Sequence, residues 1–437
     1  MQLTIDKLIY GGNGLARLPA DERGPGKAAF LPFVLEGERV EAEITEQKPG
    51  FARARAKQIL ESSPHRVDPA CRYFGQCGGC HYQHTSYEHQ LEIKSQILRE
   101  TLRRIAKVEF PNPIQIHPSP PWNYRNRTRL RVRTRPFVLG YNRIRESELL
   151  AVEQCPISSP LINRAIAALW TMGRAEKLNL DVQEIELFSN ANDTALLAEL
   201  TVRETGWRQG RKSDLPQFVT ALRATLPEIT GAALFRASGA PGELERENIP
   251  AELKPAFGAE YLLYSAAAAD FRVSAGSFFQ TNRFLTDALV KLVCSGQSGE
   301  YALDLYAGTG LFSVALARNF RGVGAVESSP FSFRDLKCNS TENVRCLNEP
   351  VEVFLTRVKR PPDLIVVDPP RAGVGEKVAQ LLGASGAPRI TYVSCDPATL
   401  ARDLTVLVGT GYRIEEAHLV DLFPQTFHIE SVLQLVR

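Results

Sequence analysis

The sequence predicts a three-domain α/β protein: a doubly wound, Rossmann-like domain over residues 266–437, preceded by a small β-barrel at 1–60 and a mixed α+β domain at 61–265. Three observations carry this. From Tyr301 onward, apolar strand-like runs alternate with helix-length amphipathic segments, the pattern of a parallel sheet covered by helices. Before residue 60 the texture differs: the short β-type runs LTIDKLIY, AAFLPFVL, ERVEAEITEQ and FARARAKQIL are broken by Gly11, Gly12, Gly14, Gly37 and Gly50, which suits a small antiparallel barrel of the oligonucleotide-binding kind. The 437 residues leave room for a third domain between them.

Composition narrows the class. No N-terminal apolar run resembles a signal peptide, with Asp6 and Lys7 coming too early, and no stretch approaches the roughly 20 apolar residues of a membrane span. The expectation is a soluble, cytoplasmic monomer without a membrane partner. Eight cysteines in so long a chain do not suggest a disulfide scaffold. Net charge is only +3, yet Trp122 to Arg145 holds eight arginines and no acidic residue. An anionic partner is implied locally.

The runs 1–60 resemble a TRAM domain, an RNA-binding barrel, and Arg53, Arg55 and Lys57 agree with RNA. Three cysteines then crowd together as Cys71, Cys77 and Cys80, and Cys155, followed by Pro156, stands apart. Zinc sites more often show two short Cys pairs, whereas three clustered thiols and a remote Cys-Pro look like the ligands of a [4Fe-4S] cluster. Zinc, with His81 or His84 as substitute ligands, and unliganded thiols remain the alternatives. Tyr87 to Val108 carries apolar residues at 91, 93, 97, 98, 102 and 105, an amphipathic helix that is expected to pack on the catalytic domain. After a proline-rich linker, Arg125, Arg127, Arg129, Arg131, Arg133 and Arg135 alternate with other residues along one strand. On one side they repel each other unless phosphates lie against them, which points to nucleic acid. Residues 160–265 carry no chemical motif.

In the last domain, strands are expected at YALDLYAG, GVGAVE, VEVFL, DLIVVDPPR and RITYVS, with a helix reaching about Cys346 before VEVFL. The first turn reads D-x-x-x-G-x-G through Asp304, Gly308 and Gly310, and Glu327 closes the second strand, where a carboxylate holds ribose hydroxyls. A nicotinamide fingerprint needs a third glycine, and position 313 is Ser. The motif resembles the S-adenosylmethionine site of class I methyltransferases. Asp368-Pro369-Pro370-Arg371 resembles the D-P-P motif with which such enzymes hold a planar base. Cys395 lies between a strand and the helix opened by Pro397, at the sheet edge where α/β folds bind ligands and where helix amides favour a thiolate. Glu430 sits among apolar strand residues, as a mere edge charge or as a base shielded from water.

Five stretches, FFQTN at 278–282, LDLYAGTG at 303–310, DPPRAG at 368–373, VSCDPATLARD at 393–403 and FPQTFHIES at 423–431, together resemble the RNA uracil-C5 methyltransferase family, over nearly the whole chain. The resemblance implies that Cys395 adds to the uracil ring, that Glu430 is the base, and that Gln280, Tyr306, Glu327 and Asp368 contact S-adenosylmethionine or the reacting groups. Tyr306, Ala307 and Leu311 depart from the common cofactor-loop pattern. The barrel and the cysteines imply ribosomal RNA, 23S, in preference to tRNA. Two other readings stay open: an RNA-binding or chaperone protein without turnover, and an amino-group methyltransferase that needs neither Cys395 nor Glu430.

Overall fold

A computed structural model describes residues 1–20, 26–176, 182–203, 214–238, 245–246 and 256–437. Strands β1 (Gln2–Ile9), β2 (Asn13–Arg17), β3 (Ala28–Pro32), β4 (Arg39–Gln47) and β5 (Phe51–Glu61) close into a barrel in the order β1-β2-β3-β5-β4. Period-two alternation fills it: Leu3, Ile5, Leu31, Val40, Ala42 and Ala54 point inward together. The glycine-rich GGNGLA stretch supplies both a turn, with Gly11 and Gly12 at φ 97° and 80°, and the start of β2. At Gly14 a Cβ would stand 2.4 Å from Val34 Cγ2, so the barrel interior itself demands glycine there.

Helix α1 (Tyr87–Thr101) begins where Ser86 accepts a hydrogen bond from the amide of His89. Its apolar face, Ile93, Ile97 and Leu98, packs with Leu400, Leu404 and Leu407 of the helix Pro397–Gly409 in the C-terminal domain. A π-turn at Leu102–Ala106 ends it, with Lys107 left-handed at φ 58°. Strand β6 (Gln115–His117) then joins the C-terminal sheet. The middle sheet contains β7 (Arg127–Thr134), β8 (Phe137–Asn142), β9 (Leu149–Ala151), β10 (Val182–Ser189), β11 (Leu196–Arg203), β12 (Ile229–Ser238) and β13 (Glu245–Arg246), in the order β13-β12-β11-β10-β7-β8-β9, with β14 (Ala256–Gly258) on β12. The helix Pro160–Arg174 covers it through Leu161, Ile162, Ala165, Ile166 and Leu169.

After the hairpin β15 (Tyr261–Ala266) and β16 (Ala269–Ser274) come β17 (Gly299–Leu305), β18 (Phe320–Val326), β19 (Val344–Leu347), β20 (Leu364–Val367), β21 (Arg389–Ser394), β22 (Arg413–Val420) and β23 (Glu430–Val436). They lie in the order β19-β18-β17-β20-β21-β23-β22-β6. The first five are mutually parallel, whereas β23 is antiparallel to both β21 and β22. The doubly wound expectation therefore stands, with one correction inside it. VEVFL is a helix, Val351–Leu355, and the strand in that position is Val344–Leu347. Pro350 caps the helix, and Val351 and Leu355 share its buried side at i, i+4 spacing, which outweighs the β-branched composition. Among the described residues no helix is long and apolar enough to cross a membrane.

The arginine row does not form one solvent-facing side. Arg125 precedes β7 and Arg135 follows it. Arg127 is buried, where its guanidinium reaches Glu186, Glu199 at 3.0 Å and the carbonyl of Ser277 at 2.5 Å. Arg129 donates to Glu186 at 2.8 Å, Arg131 to Asn142 Oδ1 at 2.6 Å and the Ser147 carbonyl at 2.5 Å, and Arg133 to the Pro136 carbonyl at 3.3 Å. The expectation that phosphates must answer the whole row is corrected at Arg127 and Arg129, because Glu186 on the neighbouring β10 and Glu199 on β11, one strand further, hold them, partners the one-strand view could not include. Arg127→Met, which removes the guanidinium shared by two buried carboxylates, should lower stability by about 3–5 kcal/mol in denaturant titration. Arg133→Ala, at an exposed position, should stay within about 0.5 kcal/mol.

Candidate active site

Strand ends at one edge of the C-terminal sheet bring the site together. After β17 the chain turns through Tyr306, Gly308 and Gly310, all with positive φ (63°, 56° and 94°), into the helix Leu311–Leu316. No atom lies within 4 Å of the position a Cβ would take at Gly308. Glu327, just past β18, accepts the amide hydrogens of Gly308 at 2.8 Å and Ser329 at 2.6 Å. The carboxylate thus shapes the loop that a nucleoside would lie against. Ala307 and Leu311, two of the departures from the common pattern, have their side chains buried in the apolar core.

Asp304 is fully buried, with Ser313 Oγ donating to one oxygen at 2.5 Å and the other, Oδ1, without a partner. Burial pushes its pKa up to about 7. Asp368, immediately after β20, is also pushed up to about 7, by burial and then by Asp304. Burial raises Glu327, against the pull of the Ser329 and Gly308 amides. Gln280 is held by its backbone, its carbonyl accepting from Asn126 Nδ2 at 3.3 Å. The unpartnered Asp304 oxygen, the open face at Gly308 and this crowd of carboxyls fit a cationic nucleoside such as S-adenosylmethionine.

Cys395 and Glu430 meet through register. Ser394 of β21 pairs with Ser431 of β23, so the next pair outward is Cys395 with Glu430. Glu430 is buried and its pKa lies well above the carboxylate range because of burial and Asp368, with Arg371 opposing. The Cys395 thiol is pushed up to about 12, first by burial and then by Glu430. This corrects the expectation that helix amides favour a thiolate. Asp396 takes that role at the helix N-terminus, accepting from the amides of Ala398 at 2.9 Å and Thr399 at 3.0 Å.

Sequence reasoning missed three neighbours of the site. Arg371, inside the D-P-P-R run, is the cation that opposes the shifts of both Cys395 and Glu430. Tyr10 comes from the barrel: its hydroxyl donates to the Cys395 carbonyl at 3.4 Å and its ring meets Phe427 edge-on at 5.5 Å. His81 stacks edge-on against Phe427 at 4.5 Å. Arg371 was legible from its motif; the other two are long-range contacts with no local signal.

The four thiols Cys71, Cys77, Cys80 and Cys155 line one cavity of about 330 Å³ together with Gly78, Gly79, Arg125 and Tyr141. His81 and His84 do not line it: His81 faces Phe427 and His84 Nε2 meets the Val34 carbonyl at 3.4 Å, which removes the substitute ligands of the zinc reading. Among the described residues no group of three or more His, Cys, Asp or Glu side chains is arranged to hold a metal ion. Burial pushes Cys71 up, Cys77 to about 11 and Cys80 further still, so three thiols face one cavity in surroundings that oppose their ionisation. The four thiols around one cavity, with glycine backbone alongside, are the donor set a [4Fe-4S] core would take, the positive charge of that core offsetting the burial that opposes the thiolates.

Comparison with known proteins bears on the chain as a whole. The family model described as tRNA (Uracil-5-)-methyltransferase matches residues 86–360 and 361–437, and the TRAM domain model matches 1–57. A protein from Aquifex aeolicus described as an uncharacterized RNA methyltransferase is 32% identical over 444 residues, covering 100% of this chain and 98% of the relative. The 23S rRNA (uracil(1939)-C(5))-methyltransferase RlmD of Tolumonas auensis is 30% identical over 453 residues, covering 100% and 96%. A solved Pyrococcus abyssi tRNA (uracil-54, C5)-methyltransferase in complex with S-adenosyl-L-homocysteine superposes with a TM-score of 0.74 at 25% identity, with full coverage of both chains.

A readout follows from the shifted thiol. Alkylation of Cys395 by iodoacetamide should be slow at neutral pH and climb as pH rises toward about 12. Glu430→Gln removes the charge that ranks next after burial, so its profile should move to lower pH. Peptide mapping of alkylated Cys395 across pH checks this; an unmoved profile contradicts the pairing.

Proposed function

The chain belongs to the RNA uracil-5-methyltransferase family with an N-terminal TRAM domain, and from that premise we propose that it methylates C5 of a uridine in 23S ribosomal RNA through a covalent adduct with Cys395. The observation that carries the proposal is the Ser394–Ser431 pair, which continues outward to Cys395 beside Glu430, at the sheet edge that also holds Asp304 and Glu327.

The chemistry follows from uracil itself, whose C5 is a poor nucleophile until something adds at C6. Cys395 thiolate adds to C6, and the electron pair of the C5–C6 double bond moves onto C5 and the C4 carbonyl oxygen. S-adenosylmethionine supplies, when bound, the methyl group and a positive sulfur that favours the ionised forms of Cys395, Asp368 and Glu430. Once C5 carries the methyl group, Glu430 removes the C5 proton, the C5–C6 double bond re-forms and the C6–S bond breaks, returning Cys395 as thiolate. Asp304 and Glu327 would hold the donor, with Gln280 and Tyr306 beside it and Gly308 and Gly310 leaving room for it, and Asp368 would orient the reacting groups. Burial matters at each proton step, since it keeps Glu430 basic enough to take a carbon-bound proton and keeps water from it.

The target base must leave its stack to reach Cys395. Four relatives described as RlmD, at 29–30% identity over nearly the full chain, support a ribosomal substrate. The Pyrococcus abyssi structure, described as a tRNA enzyme, is the observation that favours the second reading. Exposed Arg133 and Arg135, with Arg53 and Arg55 on the barrel, whose ion pairs with Glu46 and Glu43 are open to solvent, are the contacts we assign to phosphate, and Arg127, buried between two carboxylates, is not among them. The test is Glu430→Gln, incubated with donor and either a 23S fragment or tRNA. A Cys395-dependent slow band on denaturing gels is expected with the 23S fragment alone; a band only with tRNA transfers the substrate, and no band with either refutes the mechanism.

We assign Cys71, Cys77, Cys80 and Cys155 to a structural [4Fe-4S] cluster, since the chemistry above has no redox step. It would tie two chain segments, 71–80 and 155, into one unit. Protein purified without oxygen should be brown and contain iron and labile sulfide in equal amounts; zinc alone overturns the assignment.

A further inference from the structure

Glu430 is the first residue of β23, and the nine residues that lead to it from β22 would ordinarily form a mobile connection. Here five of them in succession are held by buried side chains from distant parts of the chain. Lys94 Nζ donates to Asp421 Oδ1 at 2.6 Å and to the Phe423 carbonyl at 3.0 Å. Asn282 Nδ2 holds the Leu422 carbonyl at 3.1 Å, and the Tyr124 hydroxyl holds the Pro424 carbonyl at 2.9 Å. Gln90 grips Gln425 twice: its Nε2 donates to Gln425 Oε1 at 3.0 Å and its Oε1 accepts the Gln425 amide at 2.9 Å. The Gln425 carbonyl in turn accepts the amides of His81 at 2.8 Å and Tyr82 at 3.0 Å.

Gln90, Lys94, Tyr124 and Asn282 are each 0% exposed. A fully buried lysine and glutamine on α1 cost desolvation and side-chain freedom, which a surface helix has no need to spend. Gln425 itself is left-handed at φ 68°, a backbone state that a non-glycine residue keeps only when its surroundings dictate it. No element of the chemistry touches these groups, yet all of them converge on the segment that delivers Glu430.

We propose that Gln90 and Tyr124 are positioning residues for Glu430, acting through Gln425 and Pro424 as part of a clamp on residues 421–425. The inference rests on Glu430 being the C5 base. Without the clamp, Cys395, carried just past the end of β21, still adds to uracil, and the methyl group is still transferred. What slows is the last step, in which Glu430 takes the C5 proton, the C5–C6 double bond re-forms and Cys395 leaves.

The experiment compares full-length Gln90→Leu and Tyr124→Phe with the parent and Glu430→Gln, using RNA and S-adenosylmethionine. Both variants should lose turnover, by up to about 100-fold for Gln90→Leu, which is the size expected of a base displaced by about 1 Å. Both should accumulate the methylated Cys395–RNA adduct as Glu430→Gln does, with unchanged affinity for S-adenosylmethionine. General destabilisation does not produce that pairing of lost turnover and retained adduct. Should Gln90→Leu fail to fold, Tyr124→Phe, which removes a single hydroxyl, decides alone. Parent-like turnover, or turnover and adduct lost together, overturns the inference. Absence of adduct in Glu430→Gln defeats the base reading, and this inference with it. Adduct in Glu430→Gln but in neither clamp variant defeats the positioning role alone.

Discussion

The antiparallel insertion of β23 between β21 and β22 is the constraint on which the active edge depends. In the parallel part of the sheet every strand ends at the same edge and the chain must cross over before the next begins. An inserted antiparallel strand starts at that edge instead, so its first residue, Glu430, lies beside the residue that follows β21. The pairing of Ser394 with Ser431 therefore fixes which residue stands next to Cys395. A slip of one position would turn Glu430 to the opposite face of the sheet. Tyr392 and Leu433, paired across β21 and β23 in one apolar core, and the Tyr392 hydroxyl on Asp403 at 2.7 Å resist that slip.

Desolvation then shapes the chemistry. Asp304, Asp368, Glu327, Glu430 and Cys395 all have burial as the largest cause of a raised pKa, and several raise one another. Such a set resists further negative charge and welcomes a positive ligand, which matches a sulfonium methyl donor. The same burial that opposes the Cys395 thiolate makes Glu430 a stronger base once ionised. Arg371 is placed to moderate both, and its carbonyl accepts from Thr399 Oγ1 at 3.0 Å, tying the D-P-P-R turn to the helix behind the nucleophile.

What was legible in the sequence had local causes. The strand and helix around Cys395, the glycine turn after Asp304 and the alternating barrel strands all follow from residues adjacent in the chain, and the structure has them where periodicity and caps put them. What was not legible depended on partners far away. Arginines at period two on β7 look like a phosphate track until Glu186 and Glu199, some 60 to 70 residues later, are laid beside them. Val351–Leu355 looks like a strand by composition and folds as a helix because Pro350 and the core side decide it. Cys395 looks activated by its helix until Asp396, one residue on, is seen to occupy the amides. The clamp on residues 421–425 leaves only a glutamine and a lysine on an otherwise ordinary amphipathic helix as its trace in the sequence.

The barrel belongs to the same site rather than hanging from it. Tyr10, just past β1, touches the backbone of Cys395 and the ring of Phe427, so the barrel supplies one wall beside Cys395. Further from the centre, Lys7 pairs with Glu100 of α1, and Arg145 donates to Asn13 at 2.8 Å. Three separate contacts of this kind fix a small domain in orientation as well as in position. On the proposed function, an RNA strand lying on the barrel would be held at a set distance and angle from Cys395, and binding energy gained there would be available for drawing one base out of its stack. A flexibly tethered barrel would raise local concentration without that directional effect.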